Sequence, residues 1–455
     1  MMKGAVCFMA KRREASSEYA DMSEHDAISS AIFDVIKEDE ENLPKQILVS
    51  TGNSVIDMIT GGGFRTGTIA MLTGASQSGK STLAAQITGN ASKVFTNPYA
   101  YYNDSEQTMS NERLASLGCP VDNERFFATH ISLSLEKFFA ALFKFGAIKE
   151  QFKTTDVPMI VTGDSLDSMP SEKEIEVDTP DRAVGLRAKI LKFYFRKSLR
   201  MIRQYNILLM FVAHITKTLR MDPYESYTPQ LPTLGDLNIS GGQAVQFFPH
   251  TTLFMRPRMT KANEKDLLEI GCSSSSYKVD VTTLKCKNVP LKITGTVVFE
   301  PNIGFLETET RIVNMFDDDW LPGANKKYLP NCPDQKFYMK ELRDLLRDPS
   351  FNAQFDVAWQ MYLDWKYGST ISKMNALSVD VGDAAGALEM LNDDAQVRVI
   401  DAMADAGTST STATFPTPQP MAAPVMPQIT NTGIPQTSLD DMFGPKTMPV
   451  YREES

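Results

Sequence analysis

The sequence predicts an α/β fold built on a mostly parallel central sheet, and three observations carry that prediction. An apolar run at 68–73 leads into Gly74-x-x-x-x-Gly79-Lys80-Ser81, and the helix-forming run Leu83-Ala-Ala-Gln-Ile follows it. Apolar segments of strand length recur at 99–102, 157–162 and 207–213, separated by stretches of helical periodicity. These segments end in polar or acidic residues, at Asn103 to Glu106, Gly163 to Ser165 and His214. That is the pattern of a parallel sheet whose carboxyl ends carry the chemistry.

Between a strand and a helix, Gly74 to Ser81 reads as a phosphate-binding P-loop. Glycines at 74 and 79 let the backbone approach a ligand without a Cβ clash. The helix that starts there points its first amides at the same ligand. The chain is therefore expected to bind a nucleoside triphosphate, with Gly74, Ser76, Gln77, Ser78, Gly79, Lys80, Ser81 and Thr82 as the cradle. Lys80 would reach the β- and γ-phosphates, and the Ser81 hydroxyl would ligate Mg²⁺. Glu106, just past the second strand, is placed to orient a water at the γ-phosphate. Asp164, at the end of the third, fits the acid that holds the Mg²⁺ water shell; Asp167 is a nearby competitor past the strand end.

At 455 residues the chain has room for two or three domains, and its 42% hydrophobic content suits a globular protein. No apolar run approaches the ~20 residues that span a bilayer. The N-terminus has only a short apolar patch before Lys11-Arg-Arg, which does not make a signal peptide. Cys7, Cys119, Cys272, Cys286 and Cys332 are scattered without zinc-like spacing, as reduced cytosolic thiols would be. The net charge of −10 is unevenly spread: from Arg182 to Arg220 there are ten basic residues and no acid. Local charge of that kind, rather than the sum, decides nucleic-acid binding.

In chain order, residues 23–42 read as an amphipathic helix with Ile28, Ile32, Val35 and Ile36 on one stripe, expected either to pack on the core or to dock on a neighbouring subunit. Apolar segments at 47–52 and 55–59 and the turn Gly61-Gly-Gly lead to the P-loop. After the 99–102 strand come a helix at 111–117, a strand at 125–129 and a helix at 133–145. Residues 171–180 lack a core pattern and read as a loop. The basic helix at 182–204 follows, its cations either a ligand surface or an ordinary solvated face. The run 207–213 is a buried strand. Residues 216–239 form a long polar loop with Pro223, Pro229 and Pro232, a length that marks a functional or disordered segment. Strands follow near 251–255, 278–287 and 295–300, the last two as hairpin strands at a sheet edge. Helices are expected at 338–347, 351–365 and about 383–406; after Gly407 the Thr- and Pro-rich composition cannot bury a core and predicts disorder.

Taken together, these features resemble the RecA-type ATPase core, and within it the strand-exchange recombinases, closest to phage recombinases of the UvsX type. The carrying residues are STGNSVIDMITGGGFRTG before the P-loop, YYNDSEQ at 101–107, GDS at 163–165 and LLMFVAHITKT at 208–218. GGQAVQFFPHTTLFMRP at 241–257 and KCKNVPLK at 285–292 complete the set. The resemblance implies ATP and Mg²⁺ as cofactors, Glu106 as the carboxylate that activates water and Asp164 as the Walker B acid. It places His214 at the residue that senses the γ-phosphate, where bacterial members carry glutamine. It sets DNA-binding loops near 172–182 and 217–240, with Arg182, Lys217, Arg220, Gly241 and Gly242 on the DNA. Lys285 and Lys287 match a lysine pair that reaches ATP on the adjacent subunit. Arg113 stands where bacterial members have an aromatic that stacks on adenine, and the second loop is rich in Tyr and Pro rather than glycine.

The implied protein is a DNA-dependent ATPase that forms helical filaments on single-stranded DNA and exchanges strands with duplex DNA. It would work inside the cell, in the cytoplasm of a phage-infected bacterium, with no membrane partner. The expected domains are an N-terminal helical segment (1–45), the ATPase core (46–310), a helical C-terminal region (311–406) and a disordered tail (407–455). Within that tail, Ser438-Leu-Asp-Asp-Met-Phe is a candidate docking peptide for a single-strand-binding or loader protein. Two other functions share the core: a DnaB-type hexameric helicase, and an ATP-gated regulator or scaffold without strand exchange.

Overall fold

The computed structural model describes residues 43–176, 185–216, 241–289 and 292–382, with 23, 29, 30, 238 and 239; beyond 368 only the last helix's backbone is described. Contacts divide the chain into a unit through Ala384 and a second from Ala385, which lies wholly outside the described residues. Most of the 23–42 helix, the expected 383–406 helix and the 407–455 tail also lie outside them.

Strands β1 (Leu48–Val49) and β2 (Phe64–Arg65) pair antiparallel around helix α1 (Ser54–Thr60). Asn53 caps α1 by accepting from the Ile56 amide, and left-handed Gly61 ends it. The chain then builds β3 (Ile69–Gly74), α2 (Lys80–Val94), β4 (Tyr99–Asp104), α3 (Asn111–Ser116), β5 (Phe126–Thr129), α4 (Leu135–Gln151) and β6 (Met159–Asp164). Next come α5 (Glu172–Glu176), α6 (Leu186–Gln204), β7 (Ile207–Thr216), β8 (Asn238–Ile239), α7 (Gln243–Phe247) and β9 (Thr251–Arg258). Then follow α8 (Lys261–Glu269), β10 (Tyr277–Cys286), β11 (Thr294–Glu300), β12 (Gly304–Leu306) and α9 (Glu307–Asp317). A hairpin of β13 (Lys327–Leu329) and β14 (Cys332–Phe337), then α10 (Met339–Leu345) and α11 (Pro349–Gly382), complete the unit.

The main sheet has the order β12-β11-β10-β9-β3-β7-β6-β4-β5, with β8 paired to β7 off this path. From β9 to β5 all neighbours are parallel; from β9 to β12 they are antiparallel. Strand side chains alternate between two faces, so each face packs its own core. Leu208, Met210 and Val212 of β7 join α2 residues such as Leu83 and Ile87, whereas Ile207, Leu209 and Phe211 join Phe138 of α4 and Phe195 of α6. This is the three-layer arrangement that the continuous apolar runs predict.

The residues after 310 share the first of these cores. Ile312 and Val313 of α9, Phe337, and Phe355, Trp359 and Tyr362 of α11 cluster with Val279, Val281 and Val297 of the antiparallel strands. The expected boundary at 310 falls inside α9. Several elements differ from expectation. Helix α4 runs on to Gln151 and α11 to Gly382, while α5 occupies part of the expected 171–180 loop. Helix α8, which has little apolar pattern, is started by Thr260, whose hydroxyl accepts from the Asn263 amide. Strand β10 is not at an edge, since β9 and β11 flank it. Nor does it carry both lysines: it ends at Cys286 after an irregularity between Thr283 and Lys285, leaving Lys287 outside.

Candidate nucleotide site and its flanking loops

The parallel strands bring their carboxyl ends into line. Gly74 of β3 sits opposite His214 of β7 on one side and Met255 of β9 on the other, and Asp104 of β4 sits opposite Asp164 of β6. The crevice outside these ends is where α/β sheets bind ligands.

The loop from Gly74 to Lys80 has the backbone the sequence pattern requires. A Cβ on Gly74 would lie 2.3 Å from the Met255 carbonyl oxygen, and one on Gly79 would lie 2.8 Å from Phe305. Ala75, Ser76 and Gln77 are exposed at the tip, and Gln77 takes φ 59°. Ser78 is buried, and its hydroxyl donates to Ala75 O at 2.8 Å. Helix α2 starts after left-handed Gly79, and no side chain caps its first amides, which leaves them for an anion. Lys80 is buried and donates to Ala75 O at 2.7 Å. Burial lowers its pKa, an effect opposed by the charges of Asp164, Glu106 and Asp167. Thr82 is buried in the first turn.

Asp164 is fully buried and accepts from Ser81 Oγ at 3.0 Å and from Tyr102 OH at 2.5 Å. Burial lifts its carboxyl to about 6 in spite of those hydrogen bonds, and the charges of Glu106 and Asp104 add to the rise. Glu106 accepts from His214 Nε2 at 2.9 Å and from the Ser165 hydroxyl. Burial alone would raise its pKa; the bonds from Ser165 and His214 and the charges of His214 and Lys80 bring it below the ordinary glutamate value. The backbone of His214 is itself anchored, its N–H donating to Asp167 Oδ2 at 2.6 Å.

The sequence-predicted set Lys80, Ser81, Asp164, Glu106 and His214 is thus brought together. The arrangement can hold a polyphosphate at α2, a divalent cation beside Ser81 and Asp164, and a water beside Glu106. Among the described residues no group of three or more His, Cys, Asp or Glu could hold a metal. Mg²⁺ at Ser81 would draw its other oxygens from phosphate and water, which is how this ion is commonly bound. Sequence reasoning missed Tyr102, Ser165 and Tyr277, the last donating to Gln77 O. Only Ser165 had a signal, its place directly after Asp164.

Other predicted residues lie farther out. Arg113 donates to Asn302 O at 2.6 Å and to Pro301 O, so its guanidinium is fixed against the β11–β12 turn. Lys285 is half-buried and donates to Gln246 O and Phe247 O at 3.0 and 2.6 Å, while Lys287 is exposed. Lys285 pairs with Thr252, at the end of β9 away from Met255 and the P-loop. Gly241 and Gly242 have φ 111° and 65°, and their Cβ positions would meet Leu191 and Ala188 of α6. Arg182, Lys217 and Arg220 lie outside the described residues, as do 177–184 and 217–237.

Comparison with known proteins agrees with this architecture. Residues 29–299 match the family described as the RecA N-terminal domain. Protein RecA of Campylobacter hominis is 26% identical over 305 residues, 64% of this chain and 78% of that protein. Protein RecA of Sulfurimonas denitrificans is 26% identical over 219 residues, 48% of this chain, and that of Aquifex pyrophilus 25% over 244 residues, 53% of it. The matched region spans 57% and 62% of these last two relatives, respectively. No helix of the described residues is long and apolar enough to cross a membrane. By the family match over more than half its length, the chain belongs to the RecA family.

Proposed function

We propose that this chain is an ATP-dependent recombination protein that coats single-stranded DNA as a helical filament and pairs and exchanges strands with duplex DNA. The observation that carries the reading is the convergence of Lys80, Ser81, Asp164, Glu106 and His214 at the ends of adjacent parallel strands in a RecA-family chain. Bound ATP with Mg²⁺ supplies the hydrolysable γ-phosphate. Lys80 and the α2 amides hold phosphate charge, Ser81 and Asp164 hold the metal, and Glu106 orients a water. His214 links this site to the loop that follows β7.

Arg113 borders the base. Lys285 stands about 10 Å down the sheet from the Met255 level, by strand rise, and Lys287 lies past the end of β10, which supports a role toward a neighbour's nucleotide rather than their own. DNA runs along the two loops, with Arg182, Lys217 and Arg220 on the backbone and Gly241-Gly242 closing the second. Histidine at 214, where bacterial members carry glutamine, supports a phage protein of the UvsX type acting in the cytoplasm of an infected bacterium. The Ser438–Phe443 segment docks a single-strand-binding or loader protein.

Electron microscopy with ATP, with and without single-stranded DNA, tests the reading. A DNA-coating helix is expected. A closed ring would favour a hexameric helicase, and neither form would favour a regulatory ATPase.

A further inference from the structure

The outward face of α6 is built unlike a solvated helix. Leu191, Phe195, Ser198 and Ile202 face the protein, and Lys189, Lys192, Phe193, Arg196 and Lys197 are exposed on the other side. Phe193 is 60% exposed. Along the helix it has Lys189 four residues before it, and Arg196 and Lys197 three and four after it, all on its own face. These five residues lie together on one open surface of the helix. The helix contains no acid, and among the described residues no carboxylate pairs with Lys189, Lys192, Arg196 or Lys197. Lys197 lies 4.4 Å from the Phe143 ring, and among the described residues the ring contact of Phe193 is an edge-on one with Tyr194, at 5.2 Å.

A large aromatic ring gains nothing for the fold by standing in water, and among the described residues the cations beside it have no carboxylate partner. Unpaired cations call for an anionic occupant, and an exposed ring among them calls for one with flat faces of its own. A nucleic-acid single strand has both, because its unpaired bases can leave their stack and lie on an aromatic ring. A duplex offers phosphates but keeps its base faces covered. The helix also adjoins both proposed loops: it begins at Leu186, shortly after the one near 172–182, and Gly241 and Gly242, just past 217–240, pack on its Leu191 and Ala188.

We infer that this face of α6 is a base-stacking platform for single-stranded nucleic acid, with Phe193 under a base and Lys189, Lys192, Arg196 and Lys197 on the flanking phosphates. The inference rests on the proposed DNA-binding function and adds to it a contact that reads the presence of a base.

The test compares full-length protein binding to an ordinary single-stranded oligonucleotide and to an abasic strand of equal length, by fluorescence anisotropy over a salt series. The unaltered protein should prefer the ordinary strand. Phe193→Ala should lose about tenfold on the ordinary strand, with abasic affinity and salt slope unchanged. Phe193→Tyr should restore the preference. Lys192→Ala/Arg196→Ala should weaken both strands and flatten the slope by roughly 1.4. If Phe193→Ala binds the ordinary strand normally, or loses affinity for both strands equally, the platform is refuted while the proposed function stands. If the unaltered protein binds neither strand, the proposed function fails and this inference with it.

Discussion

The hydroxyl of Tyr277 donates a 2.6 Å hydrogen bond to the carbonyl oxygen of Gln77, joining the start of β10 to the tip of the phosphate loop across 200 residues. The tyrosine ring packs on Phe299 at 5.1 Å and Phe299 on Phe305 at 4.9 Å. Both phenylalanines press on Gly79, at 3.0 and 2.8 Å from where its Cβ would be. The antiparallel half of the sheet therefore shapes a loop that belongs to the parallel half.

Replacing Tyr277 with phenylalanine tests that control. The ring stays, and the freed Gln77 carbonyl is exposed and can turn to water, so the cost in stability should be about 1 kcal/mol or less. Nucleotide affinity should fall about three- to tenfold, with turnover at saturation unchanged, as removal of uniform binding predicts. Titration with a fluorescent ATP analogue gives the answer, and unchanged affinity would make the bond incidental.

Asp164 predicts an unusual pH dependence. Its carboxyl lies at about 6, raised chiefly by burial from the ordinary 3.8. Between those values the folded chain keeps a proton that the unfolded chain has released. Stability thus falls as pH rises from roughly 4 to 6, by about 3 kcal/mol in all. Asp164→Asn should therefore raise the melting temperature of nucleotide-free protein at pH 7.5 and much less at pH 4, while impairing turnover. Parallel melting curves for the two proteins across that range would sink the argument.

The hydrolytic roles separate by substitution. Lys80→Ala should abolish nucleotide binding, whereas Glu106→Gln should bind and lose at least about a hundredfold in turnover. His214→Ala removes a hydrogen bond and a charge that hold Glu106 below its ordinary pKa. The acid limb of the pH–rate profile should then move to higher pH. A limb that stays in place would mean that another group titrates there.

Lys285 and Lys287 test assembly through chemistry. Lys285→Ala/Lys287→Ala should bind nucleotide but neither hydrolyse it nor assemble cooperatively. Mixed with Lys80→Ala protein it should regain some turnover, because one type of interface then joins an intact P-loop to intact lysines. Inactive mixtures with proven co-assembly would exclude action across subunits.

The P-loop and the strand ends were legible because their signals are local: glycine spacing, an apolar run, an acid at its close. The contacts that tune them were not. Tyr102 reaches Asp164 over 62 residues and Asp167 reaches the His214 amide over 47, separations that leave no periodic trace. Helix α8 was hidden because, of its nine residues, only Leu267 is buried. The strand expected to run through Lys287 stops at Cys286, an end that alternation alone could not disclose. Helix α11 outran its expected end because Gly368 in its interior is tolerated, at a cost of roughly 1 kcal/mol, as the helix continues to Gly382.

The position of β3 between β7 and β9 has a consequence for the protein's birth. The ribosome releases the phosphate loop early, yet both strands that flank β3, and the aromatic residues that press on Gly79, come much later in the chain. At typical rates of synthesis the interval from Gly79 to Phe305 is roughly 10 to 45 s. Until its end the loop lacks the wall that Phe299 and Phe305 supply. Chains arrested at increasing lengths should gain nucleotide binding abruptly once Phe305 has emerged, and not when the glycine motif itself appears.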